Sequence, residues 1–271
     1  MKILIVGAGG IGGFFGAKLI QVGADITFLL REKRQRLIQE RGLTVETPKG
    51  NLTIHPHTIL ASQLEPVYDL IILACKAFDL NDSLQSIAKA SSKGLILPFL
   101  NGFTHLETLD RHFGKGRVMG GVAHIAAMIT ETGSIKQLNE LNSLTIGPRT
   151  PEQELLSQEL FKMCKKADFD SFYKENIEQA LWDKWVFLAT LAGMTTICRG
   201  SIGEIVATRY GKGLIERMFA ECCSIASGNG YVITESAQVS ALEMLTKQGS
   251  PFTASMLRDL LAEKRDEHDH I

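Results

Sequence analysis

The 271-residue sequence has no excess of charge of either sign, because 29 Lys and Arg residues stand against 30 Asp and Glu residues. A net charge of −1 provides no basic surface of the kind that nucleic acids or anionic membranes select. No apolar run approaches the ~18 residues of a membrane span, and the N-terminal MKILIVGAGG is too short and glycine-broken for a signal peptide. We therefore expect a cytoplasmic protein with neither a nucleic acid nor a membrane as its partner.

Cysteine is also scarce, and the five residues are Cys75, Cys164, Cys198, Cys222 and Cys223. Their number is odd, and they form neither a CxxC pair nor a metal-ligand spacing with histidine. The sequence therefore predicts reduced thiols and no metal site.

The first half contains an alternation of short apolar strands and helices. Strands are predicted at 2–6, 25–30, 68–74 and 94–97, and a helix with apolar residues at helical spacing at 10–22. Repeated strand–helix–strand units indicate a parallel, doubly wound sheet with right-handed crossovers.

The segment VGAGGIGGFFG places glycines between the first strand and the first helix. Gly7 allows the tight turn, Gly9 lets the backbone approach a pyrophosphate, and Gly12 lets the helix pack close to the strand. The N-terminus of that helix then offers free N–H groups and a positive dipole end to the phosphates. A dinucleotide site is predicted at Gly7, Gly9, Gly10, Ile11 and Gly12, and the alternative is a purely structural glycine turn.

The end of the second strand indicates which dinucleotide binds. An NAD site usually carries Asp or Glu there, on the ribose 2′-hydroxyl. Here Leu29 and Leu30 are followed by Arg31, whose guanidinium offers a planar fork of donors to a 2′-phosphate. NADPH/NADP is therefore the predicted cofactor. The alternative is a solvated helix start, since Glu32 follows.

The pattern changes twice further along the chain. Tight turns and short strands between 118 and 147 predict an antiparallel extension of the sheet. The strands stop after about residue 175, and helices are predicted at 176–197, 201–208, 212–229, 235–247 and 252–264. The predicted fold class is α/β, with an N-terminal Rossmann-type doubly wound sheet and antiparallel extension (1–174) and an all-α C-terminal domain (175–271).

One lysine stands out in the predicted helix LWDKWVFLATLAGMTTI. Lys184 has almost no polar company at helical spacing, where its neighbours are Leu181, Phe187 and Leu188. The ammonium either reaches out of a packed helix along its apolar stem or is retained for chemistry.

A family resemblance favours the second of these interpretations. The glycine loop, Arg31, ILACKAFD, LPFLNGF, LWDKW and TASMLRD occur in an order and spacing similar to the ketopantoate reductase (2-dehydropantoate 2-reductase) family, over essentially the whole chain. The resemblance implies NADPH-dependent reduction of a small keto acid, 2-dehydropantoate, to pantoate on the pantothenate route to coenzyme A. It also implies an active site in the cleft between the two domains.

Five site residues are carried over from the family motifs. Lys184 matches the catalytic lysine and Glu267 its acidic partner. Ser255 matches the serine that holds the substrate, Asn101 the asparagine between cofactor and substrate, and Lys76 the lysine near the nicotinamide end. The residue types suit the chemistry, because an ammonium stabilises the charge that develops on the carbonyl oxygen and donates the proton. Burial would lower the pKa of the lysine, whereas a carboxylate would raise it.

Each of these residues has a structural alternative. Lys76 could simply begin a helix after a strand, and Asn101 with Gly102 is a good turn dipeptide. Ser255 could be an ordinary helix residue, and Glu267 lies in EKRDEHDHI, which by default is a solvated charge run.

Two departures from the family pattern bear on function. The positions one and two helical turns after Lys184 are Leu188 and Ala192, where the family carries asparagines that face the substrate. The sequence also stops at Ile271, four residues after Glu267, which predicts a truncated C-terminus, fraying of its last residues and an exposed apolar surface that favours a homodimer. The rival hypotheses are a reductase of a more apolar 2-keto acid or ketone, and a non-catalytic NADPH-binding protein.

Overall fold

The computed structural model describes residues 1–271 and divides into two compact units. The first comprises Met1–Leu100 and His105–Ile177, and the second comprises Asn101–Thr104 and Glu178–Ile271. The short segment Asn101–Thr104 therefore groups with the helical part of the chain although it follows a strand of the first unit. The division of the chain at 174/175 stays a prediction.

Ten strands and ten α-helices make up the fold. The strands are β1 (Lys2–Val6), β2 (Asp25–Leu29), β3 (Leu43–Thr47), β4 (Gly50–Ile54), β5 (His57–Ile59), β6 (Leu70–Leu73), β7 (Leu95–Pro98), β8 (Gly120–Ile129), β9 (Ile135–Gly147) and β10 (Asp170–Tyr173). The helices are α1 (Gly10–Gln21), α2 (Glu32–Arg41), α3 (Leu80–Ile87), α4 (Thr104–Phe113), α5 (Glu154–Cys164), α6 (Ile177–Cys198), α7 (Ile202–Val206), α8 (Gly211–Gly228), α9 (Glu235–Leu245) and α10 (Ser255–Leu261).

The first sheet is parallel throughout, with the strand order β5-β2-β1-β6-β7. Its strands are almost continuously apolar because helices cover the sheet, and Ile3, Leu4, Leu70 and Ile71 are fully buried. The strand order reverses between β1 and β6, which is where open parallel sheets bind ligands at the carboxyl ends of their strands. This sheet and the helical unit confirm the predicted fold class.

The second sheet is mixed rather than a simple antiparallel extension. β8 and β9 pair antiparallel as predicted, but β9 pairs parallel with both β3 and β10. Residues Ile135–Gly147 form one long strand rather than the short strands and tight turns predicted there, because the polar stretch in its middle forms an irregularity opposite Ile125 and Ala127 instead of a turn. Strands β3, β4, β5 and β10 were not predicted.

The second unit is helical, as expected, and has its own core. Ala192 on α6, Ile215 on α8, Ile202 on α7 and Leu245 on α9 are all fully buried in it. The last helix is shorter than predicted: residues 252–254 lie outside it, and Glu263 has a left-handed φ of 52° just beyond its end. None of the helices combines the length and the apolar character that crossing a membrane requires.

Candidate active site

The glycine loop connects β1 to α1 at the carboxyl edge of the parallel sheet. Gly7 has a φ of +92°, which favours glycine, and its N–H donates to the carbonyl of Leu29 at 3.0 Å. A Cβ on Gly12 would collide with the Gly7 carbonyl and lie 2.9 Å from the Cβ of Ala74. A Cβ on Gly9 would meet nothing within 4 Å, so this backbone is open to a ligand. The loop therefore fits a phosphate group of a dinucleotide at the N-terminus of α1.

The two other predicted loop residues begin α1. Gly10 is its first residue, and a Cβ there would lie 2.9 Å from the carbonyl oxygen of Ala127 on β8. Ile11 follows and is half-buried. Glycine at position 10 thus allows β8 to pack closely against the start of the helix.

Arg31 follows the end of β2, as predicted, and immediately precedes α2. Its side chain is 77% exposed, and Nη2 donates to Oδ1 of Asp79 at 3.1 Å. This contact joins the end of β2 to the segment that follows β6, on either side of β1. The remaining donors of the guanidinium are accessible to a ligand.

Lys76 also lies at this edge of the sheet. It follows β6 and precedes a short 3-10 helix, Ala77–Asp79, and its side chain is half-buried. The adjoining strand β1 carries the glycine loop, so Lys76, Arg31 and the loop surround the carboxyl ends of β1, β2 and β6.

The helical unit brings together three other predicted residues. Lys184 is half-buried on α6, and its Nζ donates to Oδ1 of Asn101 at 3.1 Å. Glu267 is only 4% exposed, and its charge acts on Lys184. Burial lowers the pKa of Lys184 from 10.5 to about 8, while the negative charge of Glu267 opposes part of that shift. The result is a lysine that can exchange a proton near neutral pH.

The turn that carries Asn101 is fixed within the helical unit. Gly102 has a φ of +78°, and a Cβ there would collide with the carbonyl oxygen of His270. Phe103 stacks on Trp182 of α6 with ring centroids 4.2 Å apart and an interplanar angle of 25°. These contacts hold Asn101 in place, and the sequence did not reveal them because the partners are 79 or more residues apart.

The last residues of the chain pack onto the same turn and helix instead of fraying. The indole Nε1 of Trp185 donates to the carbonyl oxygen of Ile271 at 3.3 Å, and the Ile271 N–H donates to the Glu267 carbonyl at 3.2 Å. The expectation that these residues fray is therefore wrong. The solvated reading holds for exposed Lys264 and Arg265 but not for Glu267.

Ser255 lies on α10, near a more distant part of α6. It is the half-buried first residue of α10, and the N–H of the preceding Ala254 donates to Oγ1 of Thr195 at 3.3 Å. Thr195 is three helical turns beyond Lys184, about 16 Å along the axis. Between them, Leu188 is half-buried and Ala192 is fully buried, so the face of α6 between Lys184 and Ser255 is apolar.

The remaining chemical groups form no further centre of this kind. All five cysteines are free thiols. No group of three or more His, Cys, Asp or Glu side chains is arranged to hold a metal ion.

Comparison with known proteins gives a consistent result. Residues 3–151 match the family model of ketopantoate reductase PanE/ApbA, and residues 176–271 match that of its C-terminal domain. An uncharacterized oxidoreductase of Bacillus subtilis, YkpB, is 30% identical over all of this chain and 89% of its own length. The crystal structure of a 2-dehydropantoate 2-reductase from Geobacter metallireducens is 27% identical, with a TM-score of 0.88 over 98% of this chain and 89% of that one.

A further solved structure shares the fold. D-mandelate dehydrogenase, determined with NADH and anilino(oxo)acetate, is 22% identical and has a TM-score of 0.88 over 100% of this chain and 89% of its own. The two family models match most of both units, and the glycine loop and the helix that carries Lys184 lie within the matched residues. This chain therefore belongs to the ketopantoate reductase family, oxidoreductases that act on CH–OH groups with a nicotinamide cofactor.

Proposed function

We propose that this protein uses NADPH to reduce a 2-keto acid to the 2-hydroxy acid, and that 2-dehydropantoate is the substrate and pantoate the product. The observation that carries the proposal is the placement of Lys184, whose Nζ donates to Oδ1 of Asn101 at 3.1 Å and on which the buried Glu267 acts. Burial lowers the pKa of this lysine to about 8, which suits a proton donor near neutral pH. An exposed lysine would retain its proton too strongly for this role.

Lys184 acts as the general acid. The carbonyl oxygen of the keto acid becomes negative as its C2 is reduced, and the ammonium both stabilises that charge and donates the proton. Oδ1 of Asn101 accepts a hydrogen bond from one of the three N–H groups of Lys184, and this contact orients the other two. Glu267 is the acidic partner, since its charge favours the protonated form of the lysine.

The cofactor is assigned to the edge formed by the glycine loop, Arg31 and Lys76. Bound NADPH supplies the hydride. Gly7, Gly9, Gly10, Ile11 and Gly12 would hold its pyrophosphate, and the exposed fork of Arg31 its 2′-phosphate. We assign Lys76 to the nicotinamide end, Asn101 to both cofactor and substrate, and Ser255 to the substrate.

A second candidate substrate is a 2-keto acid with an apolar or aromatic side chain. Leu188 favours it, because this half-buried side chain makes the face of α6 one turn beyond Lys184 apolar, where the family carries an asparagine. D-mandelate dehydrogenase, which shares the fold, acts on an aromatic hydroxy acid by its name. The reaction and the role of Lys184 would be the same.

Steady-state assays of NADPH oxidation test both candidates. We expect turnover of 2-dehydropantoate by the wild type and loss of at least about a hundredfold in kcat for Lys184→Met. Lys212→Met, which removes an exposed lysine on α8, is the matched control and should retain wild-type rates. The keto acid that corresponds to mandelate is assayed alongside.

The outcomes separate the hypotheses. A higher kcat/KM for the aromatic keto acid would favour the second candidate, and Leu188→Asn should then shift preference toward 2-dehydropantoate. NADPH binding without turnover of either ketone, unaffected by Lys184→Met, would contradict both and indicate a non-catalytic NADPH-binding protein.

A further inference from the structure

Arg34 links the glycine loop to two other segments of the first unit. Its Nη2 donates to the carbonyl of Ala8 at 3.0 Å, and its Nη1 donates to the carbonyl of Gly133 at 2.6 Å. Ala8 is the residue between the first two glycines of the loop, and Gly133 lies in the turn between β8 and β9. We infer that Arg34 is a positioning residue that presets the glycine loop for the pyrophosphate of either nicotinamide dinucleotide. The inference rests on the cofactor assignment of the proposed function.

The contact with Ala8 has a defined consequence for the next residue. A trans peptide is planar, and its C=O and N–H groups point in opposite directions. Fixing the Ala8 carbonyl on Arg34 therefore directs the N–H of Gly9 away from the arginine. Gly9 has open space around its Cα, and it immediately precedes α1. The arginine thus fixes the orientation of a donor in the part of the backbone that is open to a ligand.

The contact with Gly133 fixes the arginine itself. The turn is closed by the N–H of Thr130, which donates to the carbonyl of Ser134 at 2.8 Å. Gly133 has a φ of +89°, and a Cβ there would lie 2.9 Å from Nη1 of Arg34 and collide with Leu37. Glycine at this position therefore lets α2 approach the turn closely. A planar guanidinium can bind both carbonyls at once, whereas a lysine ammonium is a point charge on a flexible stem.

Burial of Arg34 carries a cost in folding free energy. Its side chain is half-buried, and burial lowers the pKa of the guanidinium. Its Nε is buried without a hydrogen-bond partner. An unsatisfied buried donor costs about 1–3 kcal/mol, so the site is not optimised for folding. A role of the fixed loop geometry in ligand binding accounts for an arginine at this position.

Arg34 and Arg31 should have separable effects. Arg31 is 77% exposed and is assigned to the 2′-phosphate, a group that only NADPH carries. Arg34 contacts the loop that receives the pyrophosphate, which NADPH and NADH share. Loss of Arg34 should therefore weaken the binding of both dinucleotides by the same factor, whereas loss of Arg31 should weaken the binding of NADPH alone.

The test is titration calorimetry of NADPH and NADH with the full-length protein. Arg34→Met should raise both dissociation constants by about tenfold, the value of one charge-assisted contact. Arg34→Lys should raise the dissociation constants of NADPH and NADH by a smaller factor, which is again the same for both. Arg36→Met is the matched control on the same helix, since that side chain is exposed and pairs only with Glu32 at 3.3 Å.

Several results would overturn the inference. Dissociation constants within twofold of the wild type in a folded Arg34→Met protein would show that the loop does not need the arginine. An increase for NADPH alone would show that Arg34 binds the 2′-phosphate. If Arg34→Met does not fold, the same criteria apply to Arg34→Lys. Failure of the wild type to bind either dinucleotide would instead refute the cofactor assignment, and the inference with it.

Discussion

The lowered pKa of Lys184 predicts the pH dependence of the reaction. With a pKa of about 8, Lys184 is about 90% protonated at pH 7 and about 10% protonated at pH 9. Because the ammonium is the proposed proton donor, kcat/KM for the keto acid should fall about tenfold between these pH values. A lysine at its ordinary pKa of 10.5 would give almost no change over the same range.

Replacing Glu267 tests the cause of the pKa. The carboxylate raises the pKa of Lys184, so Glu267→Gln should move the midpoint of the profile to lower pH and reduce kcat/KM at pH 7. Initial rates of NADPH oxidation at saturating NADPH, from pH 6 to 10, measure both effects. Glu263→Gln is the control, because that carboxylate is exposed and lies four residues away. A midpoint near 10, or one that Glu267→Gln does not move, would refute the assignment of the proton donor.

Three further predictions follow from the same structure. Arg31→Met should raise the dissociation constant of NADPH about tenfold and leave that of NADH unchanged, as measured by titration calorimetry. Gly102→Ala should lower the free energy of unfolding by about 1–3 kcal/mol in denaturant titrations and reduce kcat, because φ is +78° and the new Cβ would displace the turn that carries Asn101. The native pKa of Lys184 lies below its unfolded value, so the unfolded chain binds more protons than the native protein between about pH 8 and 10.5. The free energy of unfolding should therefore rise with pH across this window, by up to about 3 kcal/mol, as the buried lysine loses its charge. Denaturant titrations of the wild type and of Lys184→Met at pH 8 and pH 10.5 measure this, and the variant should lack the increase. An equal increase in the free energy of unfolding of both proteins would contradict the prediction.

The sequence predicts the parallel sheet well because its signal is local. Each central strand is a short apolar run buried on both faces, and Leu70–Leu73 needs no distant partner to be identified. The hairpin of β3 and β4 gives no such signal, since its strands are partly exposed and contain polar residues among the apolar ones. Strand β3 pairs with β9, about 90 residues further on, and only that contact makes it part of a sheet.

In the candidate site too, residues with a local sequence signal could be identified, whereas a residue whose role depends on distant contacts could not. Arg31 could be proposed as a ligand of the 2′-phosphate because the end of the second strand contacts the ribose in dinucleotide-binding sheets. Lys184 could be singled out because it is a charge among apolar helical neighbours, but its catalytic role was proposed only from the family resemblance. Arg34 could not, since its role depends on carbonyl groups 26 and 99 residues away, and backbone carbonyls carry no sequence signature.

Glu267 shows why a charged residue near the end of a chain can be misjudged. Its neighbours Lys264, Arg265, His268 and Asp269 are exposed, as the composition of EKRDEHDHI predicts. The segment is a turn rather than a helix or strand, so no periodicity indicates which single side chain points inward. Glu267 is buried because the residues after it pack on Gly102 and Trp185, and its charge is tolerated because it acts on the ammonium of Lys184. A change that displaces these last residues should therefore expose Glu267 and weaken the effect of its charge on the ammonium of Lys184.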